Sequence, residues 1–358
     1  MAFTEQTLEL DNAHISNLFG QFDCYLKKLE RAFGTQIIDR DGTVHIRGEQ
    51  SAVAHTAAVF TELQELARRG NQIQEQNVEY AIAMHMENQE NTLLEIDGDL
   101  ICHTVSGKPV KPKTLGQKQY VDAIREKMIV FGLGPAGTGK TYLAMAMAIT
   151  AFKNNEVERI ILTRPAIEAG EKLGFLPGDL QSKVDPYLRP LYDALYQIMG
   201  AESFQRNMEK GLIEVAPLAY MRGRTLDNAY IILDEAQNTT PAQMKMFLTR
   251  IGFGSKVVIT GDASQKDLAP GTQSGLDVAV KVLSGLDDIG FCNLTSRDVV
   301  RHPLVQKIVK AYETYEAKQA YRESKERRLT SAAAGKTTGK TKRRTEAPLR
   351  RNEKERRS

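Results

Sequence analysis

Cysteine is scarce in this chain, and long apolar stretches are missing. Three cysteines lie at scattered positions among 358 residues, and their number is odd. This pattern excludes a disulfide framework and a cysteine-rich zinc cluster, and it is typical of a reducing compartment. No apolar run approaches the roughly twenty residues of a membrane-spanning helix, and residues 1–11 lack the segments of a secretory signal. We therefore expect a cytoplasmic protein without a membrane partner.

Charge is nearly balanced over the whole chain but strongly biased at one end. The net charge is +3, and residues 321–358 hold fourteen Lys or Arg against five Glu, which leaves −6 for residues 1–320. This end has too few apolar residues to offset the entropy of ordering. We expect residues 319–358 to form a basic disordered tail that contacts nucleic acid, with a merely solubilising tail as the alternative.

The strongest indication of function is a glycine-rich stretch between a predicted strand and a predicted helix. It matches G-x-x-x-x-G-K-[ST] and consists of Gly134, Pro135, Ala136, Gly137, Thr138, Gly139, Lys140 and Thr141. Glycines let successive backbone N–H groups turn toward a phosphate, and a helix N-terminus adds further donors. We predict that Lys140 reaches the β- and γ-phosphate oxygens and that the Thr141 hydroxyl ligates Mg²⁺.

Two further predicted strands end in the polar residues that such a loop requires. The apolar run 229–233 is followed by Asp234, which we predict to hold Mg²⁺, and by Glu235, which we predict to deprotonate the attacking water. The run 256–260 leads into a turn where Gln265 is the candidate sensor of the γ-phosphate, supported by Asp262. A polar turn without such a role is the alternative for this last stretch.

The side chains that would contact the adenine and stabilise the transition state are less closely defined by the sequence. A predicted helix carries Gln117 and Gln119, and the amide of either one can both donate to and accept from an adenine edge. An arginine at the γ-phosphate accelerates phosphoryl transfer, and Arg164 and Arg301 are the leading candidates. Further options are Arg222, Arg224 and Arg250, and for each of the five arginines an ordinary surface salt bridge is the competing explanation.

These stretches together resemble a known family. The loop and the segments 234–237 and 260–265 resemble motifs I, II and III of superfamily 1 helicases, and segments 113–117, 162–165, 173–178 and 297–303 are similar to PhoH-like ATPases. The resemblance is strong over residues 110–315. It implies a cytoplasmic protein that uses ATP and Mg²⁺, with ATPase activity and a role connected with RNA.

Strands and helices alternate through the same region. We predict strands near 128–133, 158–163, 212–216, 229–234, 256–260 and 289–294, and helices near 115–126, 140–153, 186–199, 202–210, 241–250, 274–283 and 303–318. Apolar strands alternating with helices predict a mainly parallel sheet covered on both faces, with ligands at the carboxyl ends of its strands. Residues 110–318 are thus expected to form a RecA-like P-loop NTPase core of the α/β class.

Residues 1–109 are expected to form a small α+β domain and a linker. Asp41-Gly42 predicts a hairpin between strands 35–40 and 43–48, preceded by a helix ending near residue 33 and followed by helices 50–69 and 73–87. This order resembles a KH-like fold without its Gly-x-x-Gly clamp, so protein interaction or ring assembly competes with RNA contact. Residues 91–101 predict short strands, and the prolines at 109 and 112 are expected to resist helix and sheet.

Assembly is predicted from the resemblance to helicases, which place a second RecA-like domain across the nucleotide. Only residues 319–358 follow the core here, so we predict a ring-like homo-oligomer, such as a hexamer, with an arginine acting in trans. The favoured function is an Mg²⁺-dependent ATPase that remodels RNA or RNA–protein complexes, and RNA helicase activity is one form that this function can take. The alternative is a nucleotide-gated scaffold that recruits a ribonuclease or a ribosome-maturation partner without unwinding.

Overall fold

The computed structural model describes residues 3–40, 42–87, 92–165 and 180–301, and positions 304, 305, 308, 309, 311, 312, 314, 315, 318 and 319. The backbone alone is described for residues 92, 180–187 and 190. The chain divides into two compact units, residues 1–300 and residues 301–358. In the second unit the ten described positions from 304 to 319 are helical, and the predicted basic tail beyond them lies outside the described residues.

The first unit begins with an antiparallel sheet backed by helices. Strands β1 (Phe3–Glu9), β2 (Gln36–Arg40) and β3 (Thr43–Glu49) pair in the order β1-β3-β2. The helices are α1 (Ile15–Phe19), α2 (Cys24–Phe33), α3 (Gln50–Arg68), α4 (Glu75–Met86) and α5 (Thr92–Asp97). Val44 and Ile46 alternate along β3 with less buried residues and share a core with Phe60 and Leu63 of α3. The predicted α+β arrangement is confirmed, while its KH-like character stays a prediction.

Two local predictions in the segment that follows are wrong. Residues 92–97 form a helix rather than short strands, because Leu93 and Ile96 lie three residues apart and both are buried in the N-terminal core. Pro109 and Val110 form β5 (Pro109–Val110), which pairs antiparallel with β4 (Cys102–His103). A proline is tolerated in so short an edge pairing because the ladder does not need its missing N–H. The predicted domain boundary near residue 109 stays a prediction.

A buried pair of polar side chains joins the helices of this domain. Glu62 Oε2 lies 3.0 Å from His85 Nε2, and Glu62 Oε1 accepts from the backbone N–H of Leu93 at 2.7 Å. Both side chains are 2% exposed. One carboxylate therefore connects α3 with α4 and with the start of α5.

Removing this carboxylate should destabilise the protein strongly. We expect Glu62→Ala to lower the free energy of unfolding by about 3–5 kcal/mol, because His85 and the Leu93 amide then lose their acceptor inside the core. Urea denaturation followed by circular dichroism measures the change. Glu65→Ala is the matched control on α3, since Glu65 is 41% exposed in its ion pair with Arg69 and such a pair is worth at most about 1 kcal/mol. Equal losses for the two variants would contradict the assignment.

A six-stranded sheet forms the rest of the first unit. Its strands are β6 (Ile129–Leu133), β7 (Arg159–Arg164), β8 (Ile213–Pro217), β9 (Ala229–Leu233), β10 (Lys256–Gly261) and β11 (Ile289–Asn293). They pair in the order β11-β6-β10-β9-β7-β8, and all neighbours are parallel. The helices are α6 (Leu115–Glu126), α7 (Lys140–Lys153), α8 (Leu180–Met199), α9 (Ala201–Glu209), α10 (Pro241–Leu248) and α11 (Gly275–Leu283). The predicted RecA-like P-loop core is confirmed.

Burial on both faces explains the continuous apolar runs of this sheet. All five residues of β9 are buried; Ile232 shares a core with Ile149 of α7 on one face, and Leu233 shares another with Phe247 of α10 on the opposite face. Because the strands are parallel, the segments after β6, β7, β9 and β10 meet at one edge. Within the described ranges, no helix has both the length and the apolar character to cross a bilayer.

Candidate nucleotide site

The predicted phosphate loop runs from the end of β6 to the first turn of α7. Gly134 and Gly139 adopt positive φ angles of 147° and 78°. A Cβ at Gly134 would lie 2.3 Å from the carbonyl oxygen of Leu294, so only glycine fits there. The Gly134 N–H donates to the carbonyl of Gly261 at 3.1 Å. The loop is thereby attached to the end of β10, and its eight predicted residues lie at the carboxyl edge of the sheet.

Lys140 is buried inside this loop. Its Nζ donates to the carbonyl oxygens of Gly134 at 2.6 Å and Pro135 at 2.9 Å, and lies 3.4 Å from Thr138 Oγ1. Burial lowers the pKa of Lys140 below its ordinary value, and nearby carboxylates, Asp262 foremost, act in the opposite direction. These direct partners are neutral oxygens, so an incoming phosphate would supply the ammonium with a counter-charge.

The two predicted metal ligands lie side by side. Thr141 Oγ1 donates to Asp234 Oδ1 at 2.7 Å, and Thr260 Oγ1 donates to the same oxygen at 2.6 Å. Hydroxyl and carboxylate oxygens are the ligands that Mg²⁺ prefers, and Mg²⁺ commonly takes one or two protein ligands together with substrate phosphates. The residues present therefore fit the predicted ion. Thr260 was missed as a partner of Asp234, because their contact depends on the pairing of β10 with β9, in which Ile259 is in register with Leu233.

The hydroxyl of Thr260 should matter for metal use. We expect Thr260→Val to raise the Mg²⁺ concentration for half-maximal ATP turnover about 10- to 100-fold, because valine keeps the shape but cannot donate to Asp234. A MgCl₂ titration at fixed ATP concentration measures this requirement. Thr260→Ser, which keeps the hydroxyl, should match the wild-type curve. An unchanged requirement in Thr260→Val would show that the hydroxyl does not position Asp234.

The predicted base, Glu235, accepts hydrogen bonds on both carboxylate oxygens. Arg164 Nη2 donates to Glu235 Oε1 at 2.7 Å, and Gln237 Nε2 donates to Glu235 Oε2 at 2.5 Å. Arg164 Nε also lies 3.9 Å from Asp234 Oδ2. The Glu235 backbone has φ 54° and ψ 39°, a left-handed conformation that is sparsely populated by residues other than glycine. The structure thus places Arg164 beside the predicted base of its own chain.

Gln237 connects Glu235 with the turn that follows β10. It is fully buried, its Nε2 also donates to the carbonyl of Gln265 at 3.1 Å, and its Oε1 accepts from the N–H of Asp262 at 3.0 Å. Asp262 Oδ2 in turn accepts from the N–H of Ala136 in the phosphate loop at 3.1 Å. The side chain of Gln265 is exposed. Gln237 is a site residue without a predicted role, although its place in segment 234–237 was a usable signal.

The two candidate adenine readers occupy different environments. Gln117 is buried; its Nε2 donates to the carbonyl of Thr138 at 3.0 Å, and its Oε1 accepts from the N–H of Lys113 at 2.7 Å. Gln119 is exposed. The structure brings Gln117 to the phosphate loop, and an adenine contact by either side chain stays a prediction.

The other arginine candidates lie in varied surroundings. Arg224 makes a two-pronged ion pair with Glu214, with distances of 2.6 and 2.7 Å. Arg250 Nη1 lies 3.5 Å from the carbonyl of Arg224, and Arg222 is exposed. Arg301 belongs to the second unit, and its predicted role stays a prediction.

The region that is similar to known proteins includes the whole parallel sheet. A family model described as "PhoH-like protein" matches residues 109–313. A PhoH-like protein of Bacillus subtilis (strain 168) is 54% identical over 297 residues, covering 83% of this chain and 93% of that protein. A PhoH-like protein of Mycobacterium tuberculosis (strain H37Rv) is 54% identical over 303 residues, covering 84% and 86%. Protein PhoH of Escherichia coli (strain K12) is 46% identical over 206 residues, covering 57% and 58%.

Proposed function

The chain belongs to the PhoH-like protein family, and from that premise we propose that it is an Mg²⁺-dependent ATPase that acts on RNA or RNA–protein complexes. Its core is that of a P-loop NTPase. The observation that carries the proposal is the cluster at the carboxyl edge of the sheet. There, Thr141 Oγ1 and Asp234 Oδ1 are 2.7 Å apart, Lys140 lies inside the loop, and Glu235 directly follows Asp234.

Each of these residues has a defined part in the proposed reaction. The backbone N–H groups of the loop and the Lys140 ammonium bind the β- and γ-phosphates and stabilise the charge that they carry in the transition state. Thr141 and Asp234 would hold Mg²⁺, which neutralises further phosphate charge. Glu235 orients the attacking water and accepts its proton. Gln237 connects the Glu235 carboxylate with the turn at Gln265. We propose Gln265 as the γ-phosphate sensor.

The RNA part of the proposal is supported by the basic residues near the C-terminus and by the resemblance to PhoH-like ATPases. Residues 321–358, with fourteen basic residues against five glutamates, offer sequence-independent affinity for phosphates. We further propose a cytoplasmic ring-like homo-oligomer in which Arg301 of one subunit acts on the nucleotide of the next. Under the scaffold alternative, the same site binds ATP, but RNA leaves turnover unchanged.

ATP turnover with and without single-stranded RNA tests this proposal. We expect RNA to accelerate hydrolysis by the full chain, and we expect a chain ending at residue 320 to need about tenfold more RNA for half-maximal stimulation at moderate salt. Turnover that does not respond to RNA at low salt would favour the scaffold. Failure of the purified chain to bind ATP in calorimetry with magnesium present would overturn the proposal as a whole.

A further inference from the structure

The contacts around Glu235 leave its carboxylate poorly placed to act as a base. A general base needs an oxygen within hydrogen-bond reach of the water that it deprotonates. Here Oε1 accepts from the Arg164 guanidinium at 2.7 Å and Oε2 accepts from Gln237 at 2.5 Å. Release of Arg164 would make the Oε1 oxygen of Glu235 available to the attacking water.

Arg164 lies between the candidate nucleotide site and β8, the outermost strand on that side of the sheet. It ends β7, which is flanked by β9 on the nucleotide side and by β8 on the outer side, where Arg164 is in register with Pro217. Directly after Pro217, a 3-10 turn (Leu218–Met221) presents Tyr220, which is 47% exposed, and the exposed Arg222 follows. The side chain of Arg164 itself is 21% exposed, so part of this ion-paired side chain is in contact with solvent.

An exposed aromatic ring two residues before an exposed arginine is suited to single-stranded nucleic acid. Bases stack on tyrosine rings whatever their sequence, and guanidinium groups bind phosphates. A strand of RNA lying across the ends of β7 and β8, with one base on Tyr220, would bring backbone phosphates toward Arg222 and Arg164. A phosphate oxygen can then replace the carboxylate of Glu235 as the acceptor of the Arg164 N–H groups.

We propose that Arg164 is a latch, a positioning residue that holds Glu235 inactive until a phosphate of single-stranded RNA at the β7–β8 edge takes over its guanidinium. The proposal rests on the proposed ATPase function and deepens it. The step exchanges one ion pair for another, and no covalent bond changes. RNA thereby activates hydrolysis from within the same subunit.

The γ-phosphate of ATP offers the same anionic oxygens, and the two sources of phosphate predict opposite results. If Arg164 served the γ-phosphate in the transition state, its removal would slow hydrolysis, as loss of a charge-neutralising arginine does. If Arg164 is a latch, its removal accelerates hydrolysis in the absence of RNA. The sign of the change therefore distinguishes the two.

The test compares wild type with Arg164→Gln in the full chain, using poly(U) as the RNA. Without poly(U), we expect Arg164→Gln to raise kcat about threefold to tenfold, as release of a partly exposed ion pair allows, with the KM for ATP changed less than about twofold. Stimulation by poly(U), the ratio of the two rates, should fall to about one because no latch remains to be released. Arg164→Lys, which keeps a cation there, should retain the low basal rate and the stimulation.

A matched control comes from another ion-paired arginine. Arg206 pairs with Glu202 at 2.7 Å on α9 with its side chain 61% exposed, and Arg206→Gln should leave both rates at wild-type values. For the RNA position, Tyr220→Ala should raise the poly(U) concentration for half-maximal stimulation at least about fivefold, the effect of losing one stacked base.

Each outcome supports or overturns a stated part of the proposal. An unchanged or lower basal kcat in Arg164→Gln overturns the latch. An increased basal kcat together with a wild-type enzyme that ignores poly(U) supports the latch but overturns RNA as its release, and with it the RNA part of the proposed function. An unaltered poly(U) dependence in Tyr220→Ala overturns the β7–β8 edge as the binding place. Absence of turnover in both proteins overturns the latch, and ATP binding measured by calorimetry then decides separately on the nucleotide function.

Discussion

Lys140→Ala should weaken ATP binding about 10- to 100-fold, the loss of one charge-assisted contact, and should lower kcat by about a further 10²- to 10³-fold. The ammonium is held in the phosphate loop by carbonyl oxygens 2.6 and 2.9 Å away. Alanine removes the single charge that lies inside the loop itself, while the backbone donors of the loop remain. Calorimetry with MgATP measures the affinity, and a phosphate-release assay measures the turnover.

The control for this variant lies on the same helix. Lys153→Ala removes an exposed lysine at the other end of α7, about 20 Å away at the rise of an α-helix, and should leave both quantities unchanged. ATP should raise the melting temperature of wild type and of Lys153→Ala, since a ligand that binds the native state stabilises it, but should raise that of Lys140→Ala much less. Equal stabilisation of all three proteins by ATP would mean that Lys140 does not bind the nucleotide.

Glu235→Gln should separate binding from chemistry. We expect ATP affinity within about twofold of wild type and kcat lower by about 10²- to 10⁴-fold, the contribution of a general base. The amide keeps the shape of the side chain, and its carbonyl oxygen can still accept from Arg164, but it cannot take a proton from water. Single-turnover hydrolysis with excess enzyme measures the chemical step.

A second carboxylate serves as the reference for this change. Glu158 is exposed, accepts from Asn228 at 3.2 Å and directly precedes β7 at the amino edge of the sheet, opposite to the nucleotide. Glu158→Gln therefore makes the same chemical change where no catalysis is expected, and it should hydrolyse ATP at the wild-type rate. If Glu235→Gln retains wild-type hydrolysis, another group is the base.

The parallel core could be predicted from the sequence because each of its strands can be recognised from its own residues. Strands buried on both faces appear as continuous apolar runs, and β9, Ala229–Leu233, is buried throughout. The strand β1, Phe3–Glu9, is absent from the prediction because most of its side chains are exposed and its partner residues are 43–49. Its strand character comes from that distant pairing rather than from its own composition.

The short helix α5 shows a different limit. Leu94 and Ile96 alternate as in a strand, whereas Leu93 and Ile96 have helical spacing, and six residues are too few for periodicity to decide between them. The structure buries Leu93 and Ile96. Packing against the rest of the N-terminal core therefore selects the helix.

The site divides in a similar way. The phosphate loop and the pair Asp234 and Glu235 are contiguous in sequence, so local pattern and chemistry are enough to predict them. The contacts of Thr260 with Asp234 and of Arg164 with Glu235 depend on β9 lying between β10 and β7. Strand order is a property of the assembled sheet, and nothing in the local sequence states it.

The left-handed backbone at Glu235 also bears on engineering. The φ angle of Glu235 is 54°. Residues other than glycine adopt such a conformation at a cost in folding free energy on the order of 1 kcal/mol or more. A library screened for heat resistance alone would thus tend to collect glycine at position 235, and the proposed base would be lost. Anyone raising the melting temperature of this protein should keep that position fixed and look for gains elsewhere.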